Sequence, residues 1–136
     1  MFGSLARKSK TAEVKLVIDG SNYKGQIKGD GVRTDDGMQL MHNKFCIIDK
    51  SIVLTGSFNP TDNDNNYNDN NVIAIHSGWL AQNYEEEFDE LWNREFGKGN
   101  KVKNPVVNVN NINIQNYFCP EDDCASHIVN EIKNAE

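Results

Sequence analysis

A chain of 136 residues, 38% hydrophobic and 25% charged, is long enough for one modest domain with a small core, and its balance excludes a disordered or fibrous polymer. The formal net charge of −6 is uneven: residues 1–50 carry nine Lys or Arg against six Asp or Glu, and residues 51–136 carry five against fourteen. The first part could supply the basic face of a nucleic-acid binder while the whole-chain balance argues against one, so charge alone assigns no partner.

Residues 1–10 are short and basic with no apolar stretch behind them, unlike a signal peptide, and no run of the chain is long enough to cross a membrane. The default expectation is therefore a cytoplasmic protein, with secretion left open should the N-terminus be truncated. Residues 14–19 form a β-branched apolar run closed by Asp19-Gly20, which predicts a buried strand. Residues 20–37, rich in Gly, Asp, Ser and Lys, read as a loop holding at most one short strand. Residues 41–49, with Phe45, Cys46, Ile47 and Ile48 at their heart, and residues 51–55 predict two strands joined by a tight Asp49-Lys50 turn, a hairpin. Residues 61–71 are nearly all Asn, Asp and Thr and read as a loop before a strand at 71–76.

From Trp79 onward Leu80, Tyr84, Phe88, Leu91, Trp92 and Phe96 recur at spacings of three and four, which predicts a helix with one apolar face against a sheet. Glu85, Glu86, Glu87 and Asp89 fall mostly on its wet side. Residues 97–104 read as a linker, 106–114 as a half-exposed or edge strand, and 116–119 as a short strand ended by Pro120. A last helix follows, with acids 121–123 at its start and Ala125, Ile128, Val129 and Ile132 on its apolar face. The order predicts an α/β fold, a mixed β-sheet flanked by helices. Three cysteines make no disulfide framework: Cys46 is expected in the core, and Cys119 and Cys124 either pair or bind a metal, although no His or Cys partners at zinc spacing accompany them.

The chemistry concentrates in two short stretches, His42-Asn43-Lys44-Phe45-Cys46-Ile47-Ile48-Asp49 and Gly56-Ser57-Phe58-Asn59. Residues two apart on a strand share a face, so His42 and Lys44 project together, while Asp49, an odd step away, faces elsewhere. Ser57 and Asn59 are again two apart. Imidazole, ammonium, hydroxyl and amide together suit a phosphate: His42 can attack phosphorus or move a proton, and Lys44 can hold the non-bridging oxygens as charge develops. Ser57 and Asn59 add hydrogen bonds, and Gly56 lets the backbone come close. With Lys44 as the positive charge and His42 as the nucleophile, neither a metal nor another cofactor is required.

This pattern, HxK(x)4D followed by GSxN, resembles the signature of the phospholipase D superfamily, and His42, Lys44, Asp49, Gly56, Ser57 and Asn59 match it position for position. The likeness runs over about residues 12–96. It implies a phospholipase D-like fold and a two-step reaction at a site made where two such motifs meet. One His forms a phosphohistidine; the other protonates the leaving alcohol and then activates water. Lys and Asn side chains bind the phosphate, and the motif Asp acts in support. The chain departs from the family at Asn70, where an acidic residue that orients the catalytic His is usual; Asp69 is the alternative for that role. Asp62, Asp64 and Asp69 also suggest a calcium loop, but the EF-hand Gly and terminal Glu are missing.

The family domain opens with a strand and a long helix before its Val-Asp-Gly strand, and the sequence offers no match for them, so the fold is expected to be incomplete or domain-swapped. Residues 1–98 read as a catalytic half-domain, 99–113 as a linker and edge strand, and 114–136 as a strand-helix unit resembling the start of a second such domain. That last unit is expected to fold back into the sheet or swap to a partner. The expected activity is a phosphodiesterase completed in a homodimer or by a second motif-bearing domain. Nucleic acid is the first substrate class and phospholipid the alternative. A phosphate- or nucleic-acid-binding module without turnover is the competing function.

Overall fold

Two four-residue strands open the sheet structure of the chain, which a computed structural model describes over residues 2–25 and 27–135. β1 (Leu16–Asp19) and β2 (Val32–Asp35) pair in parallel, Leu16 opposite Val32 and Asp19 opposite Asp35. A parallel pair needs a crossover of about a dozen residues or more, and residues 20–31 connect the two strands, with no regular helix among those described. The single short strand allowed in the Gly-rich stretch is thus β2. A helix, α1 (Phe2–Lys8), precedes β1, with Arg7 and Lys8 in its last turn, where cations complement the helix dipole.

β3 (Phe45–Ile48), β4 (Ile52–Gly56) and β5 (Val72–His76) form a three-stranded sheet in that order. The β3–β4 turn is tight because Asp49 and Lys50 both adopt positive φ, 48° and 52°, the geometry that matches strand twist in a two-residue hairpin. At the β4–β5 pair, Ser57 N–H donates to the Asn71 carbonyl at 3.1 Å and Ser77 N–H to the Ser51 carbonyl at 2.8 Å, so these strands run in opposite directions. Between them lies α2 (Asp62–Asn66), capped by Thr61. α3 (Gly78–Trp92) follows, capped by Ser77, then the antiparallel hairpin of β6 (Val106–Val109) and β7 (Ile112–Gln115), and finally α4 (Cys124–Asn134). The architecture is mixed α/β, as expected.

The chain divides into two compact units, one of residues 1–46 and 54–75 and one of residues 47–53 and 76–136. Val53, Leu80, Ala81, Leu91 and Val107 are the buried apolar residues of the second unit. In the first, the buried residues among those described are Ile27 and three aspartates, Asp19, Asp35 and Asp64. The units interleave along the chain, so their breaks do not coincide with the boundaries at 98 and 113 read from the sequence.

Several expectations are corrected. The strand expected over 41–49 is regular only from Phe45, so His42 and Lys44 lie in the irregular segment that leads into it. Cys46 is not in a core: it lies on the exposed face of β3, whose half-buried face carries Phe45 and Ile47. The run 106–114 is a hairpin and not one edge strand, because Asn110 and Asn111 turn at φ 51° and 66°. β7 pairs with β6 in a separate two-stranded sheet, so the terminal strand does not fold back into the three-stranded one. Residues 116–119 form no strand; Asn116 is instead buried and accepts a hydrogen bond from Asn83 at 3.1 Å. Of the two roles left open for Cys119 and Cys124, the structure shows the disulfide, which removes them as metal ligands.

Candidate functional site

His42, Lys44, Gly56, Ser57, Asn59 and Asn70 all belong to the first unit. The hairpin explains why the two motif stretches meet: its turn at Asp49-Lys50 returns the end of β4 to the start of β3. The Thr55 hydroxyl donates to the Lys44 carbonyl at 3.0 Å and so fastens the two ends. Asp49 itself sits exposed in the turn, five residues along the chain from Lys44 and seven from His42.

His42 is exposed, and among the described residues its imidazole has no hydrogen-bond partner. The Lys44 ammonium donates to the His42 carbonyl at 2.9 Å, which curls the lysine back over the histidine backbone. Partial burial lowers the Lys44 pKa from its ordinary value, and the nearby Asp64 carboxylate works against that by favouring the charged form. An ammonium that has shed part of its hydration is a stronger partner for an oxyanion than a fully solvated one.

Ser57 is more committed than the sequence implies. Its hydroxyl donates to Asn70 Oδ1 at 3.0 Å and accepts from the Asn71 N–H at 3.1 Å. The side chain of Asn70 is thereby engaged with Ser57 and, at 3.4 Å, with the Asn68 carbonyl. Gly56 has φ 149°, and a Cβ there would collide with the Asn71 carbonyl oxygen. The close approach that requires glycine is therefore to β5.

Asn59 is held by Asp64. Its backbone N–H and its Nδ2 both donate to Asp64 Oδ2, at 2.7 and 2.8 Å, and Asn68 Nδ2 donates to Asp64 Oδ1 at 2.8 Å. Asp64 is 8% exposed. The Asn59 backbone bond, then the other N–H and hydroxyl contacts, hold its carboxyl below the ordinary carboxylate value despite burial. Both its oxygens are occupied by N–H donors, and among the described residues no group of three His, Cys, Asp or Glu could hold a metal ion.

Asp19, in β1, is tied to the segment that carries His42. Its carboxylate accepts from the Ser21 N–H at 3.0 Å, from the Ser21 hydroxyl, from Asn22 Nδ2 at 3.1 Å and from the backbone of Met41, the residue before His42. These bonds, the Ser21 hydroxyl first, hold the Asp19 carboxyl below its ordinary value. Asp19 also lines a depression with Asp35, Gly37 and Leu40, and His42 stands outside it. Sequence reasoning weighed Asp64 only as a calcium ligand and gave Asp19 no role. A signal existed for Asp64: Thr61-Asp62-Asn63-Asp64 has the spacing of a capping box, and the Asp64 N–H does donate to Thr61 Oγ1 at 3.1 Å.

Residues 5–92 match the family model described as cardiolipin synthase, PLD-like domain. The chain is 36% identical over 64 residues to a mitochondrial cardiolipin hydrolase of Xenopus tropicalis, covering 47% of this chain and 30% of that protein. It is 39% identical over 64 residues to one of Chlamydomonas reinhardtii, covering 47% and 29%. With a phospholipase D of Rickettsia typhi it shares 42% over 82 residues, covering 53% and 39%. The chain thus spans well under half the length of these curated relatives. No solved structure matches.

Proposed function

This chain belongs to the phospholipase D-like family, and from that premise we propose that it is a metal-independent phosphodiesterase whose site is completed by a second copy of the same motif. The observation that carries the reading is the joining of His42 and Lys44 to the Gly56–Asn59 stretch by the β3–β4 hairpin and its Thr55–Lys44 bond. His42 attacks phosphorus, a P–N bond forms, and the P–O bond to the leaving alcohol breaks. The second motif's His gives the alcohol its proton. That His then takes a proton from water, whose oxygen attacks phosphorus and breaks the P–N bond. Lys44 and Asn59 hold the non-bridging oxygens as they gain charge.

The substrate class that the relatives' names support is a phospholipid diester, since those proteins are called cardiolipin hydrolase and phospholipase D. A nucleic-acid diester is the second reading, favoured by the excess of Lys and Arg over Asp and Glu in residues 1–50. The deciding experiment sizes the full chain on a column and follows hydrolysis of bis-p-nitrophenyl phosphate in EDTA, then of cardiolipin vesicles and single-stranded DNA. A dimer with turnover that His42→Ala removes supports the enzyme. A monomer without turnover that still binds phosphate makes the chain a binding module and overturns the proposal.

A further inference from the structure

The buried carboxylate of Asp64 stands outside the motif that defines the family, yet its contacts reach directly into the phosphate cradle. An ionised carboxylate can only accept hydrogen bonds, so the Asn59 amide must present Nδ2, and not Oδ1, to Asp64. Nδ2 carries two N–H groups, and Asp64 takes one. The second remains for another acceptor, in an orientation set by the first. The Asn59 backbone N–H is fixed by the same oxygen, which ties the main chain and the side chain of Asn59 to one point. Asp64 is itself immobilised: α2 begins at the Thr61 cap, and Asn68 binds the other carboxylate oxygen.

We propose that Asp64 is a positioning residue that aims the free N–H of Asn59 at a bound phosphate. The inference rests on the phosphodiesterase reading for the identity of the ligand, but its test does not require turnover. Inorganic phosphate serves as the probe, and the side-chain amide of Asn59 in the ¹⁵N-labelled full chain is the reporter. The variants are Asp64→Asn, which keeps the shape and removes the charge, Asp64→Ala, Asn59→Ala, and the Asp64→Ala/Asn59→Ala double variant. Far-ultraviolet circular dichroism checks folding.

Phosphate should shift the Asn59 amide resonances of the wild type. Asp64→Asn and Asp64→Ala should each weaken phosphate binding by roughly ten-fold, the scale of a charge-assisted hydrogen bond lost. The double variant should bind no worse than the weaker single variant, because residues that act as one unit do not add. Phosphate binding within about two-fold of wild type in Asp64→Asn, additive losses in the double variant, or an Asn59 amide indifferent to phosphate would each overturn the proposal. A wild type that binds phosphate at Asn59 but does not hydrolyse bis-p-nitrophenyl phosphate would remove the hydrolase reading and leave this one standing.

Discussion

At the scale of single residues, the proposed phosphodiesterase chemistry falls to His42 and Lys44, which differ in how firmly they are held. Lys44 is tied to the His42 carbonyl and faces the Asp64 charge, whereas His42 is exposed. His42→Ala and Lys44→Ala should each lower kcat for bis-p-nitrophenyl phosphate by roughly a thousand-fold or more with unchanged circular dichroism, since each removes a nucleophile or a charge met in the transition state. Partial burial lowers the Lys44 pKa, so an NMR titration of the Lys44 side chain should show its midpoint below the ordinary lysine value; a midpoint at or above it would contradict the site's desolvation. For Asp64 the folded-state pKa lies below the unfolded one. Its contribution to stability is complete above the ordinary carboxylate value and is lost as pH falls through the folded value. Urea unfolding of wild type and Asp64→Asn should therefore differ most near neutrality and converge in acid. The motif positions were legible from their spacing in the sequence, but the strand parity expected to set His42 beside Lys44 does not apply, because both precede β3. Asp64 was not legible, because its partners lie across the turn that α2 makes, and composition shows only an Asn- and Asp-rich loop.

At the scale of elements, the turns decide where the strands end. Gly56 is required by the proximity of β5, so Gly56→Ala should destabilise the fold by about 2 kcal/mol or more, read as a lower urea midpoint at unchanged slope. Asn110 and Asn111 hold the positive φ angles of a two-residue hairpin turn, and Asn111→Gly should raise stability by about 0.5 kcal/mol in the same measurement. The β3–β4 hairpin was legible because apolar runs flank a short polar pair. The β6–β7 hairpin was hidden because Asn alternates with apolar residues through its strands as well as its turn. For β2, Val32–Asp35, the sequence allowed a short strand without placing it: only one of its four residues is apolar, and its pairing with β1 comes from a partner distant in sequence. For α4 the apolar face was read correctly, but Ile128, Val129 and Ile132 are exposed at 61%, 46% and 68%, and periodicity states which residues share a face without stating what covers it.

At the scale of the whole molecule, the two units differ in what holds them. The second has an apolar core, while the first buries three aspartates and one isoleucine among its described residues, so hydrogen bonding carries a larger share of its order. If the proposed site needs His42 from two copies, mixing wild type with a rising fraction of His42→Ala chains should reduce turnover as the square of the wild-type fraction; a linear decline would place a complete site on one chain. The mixed α/β class was legible because it rests on local pattern. How the chain divides was not, since the hairpin that unites the motif stretches also contributes residues to both units. The exposure of His42, outside the depression lined by Asp19 and Asp35, has one more consequence. A nucleophile this exposed meets slender and bulky diesters alike, so the surface around it on this chain sorts neither from the other. Any selectivity between them would have to arrive with whatever surface closes over the histidine.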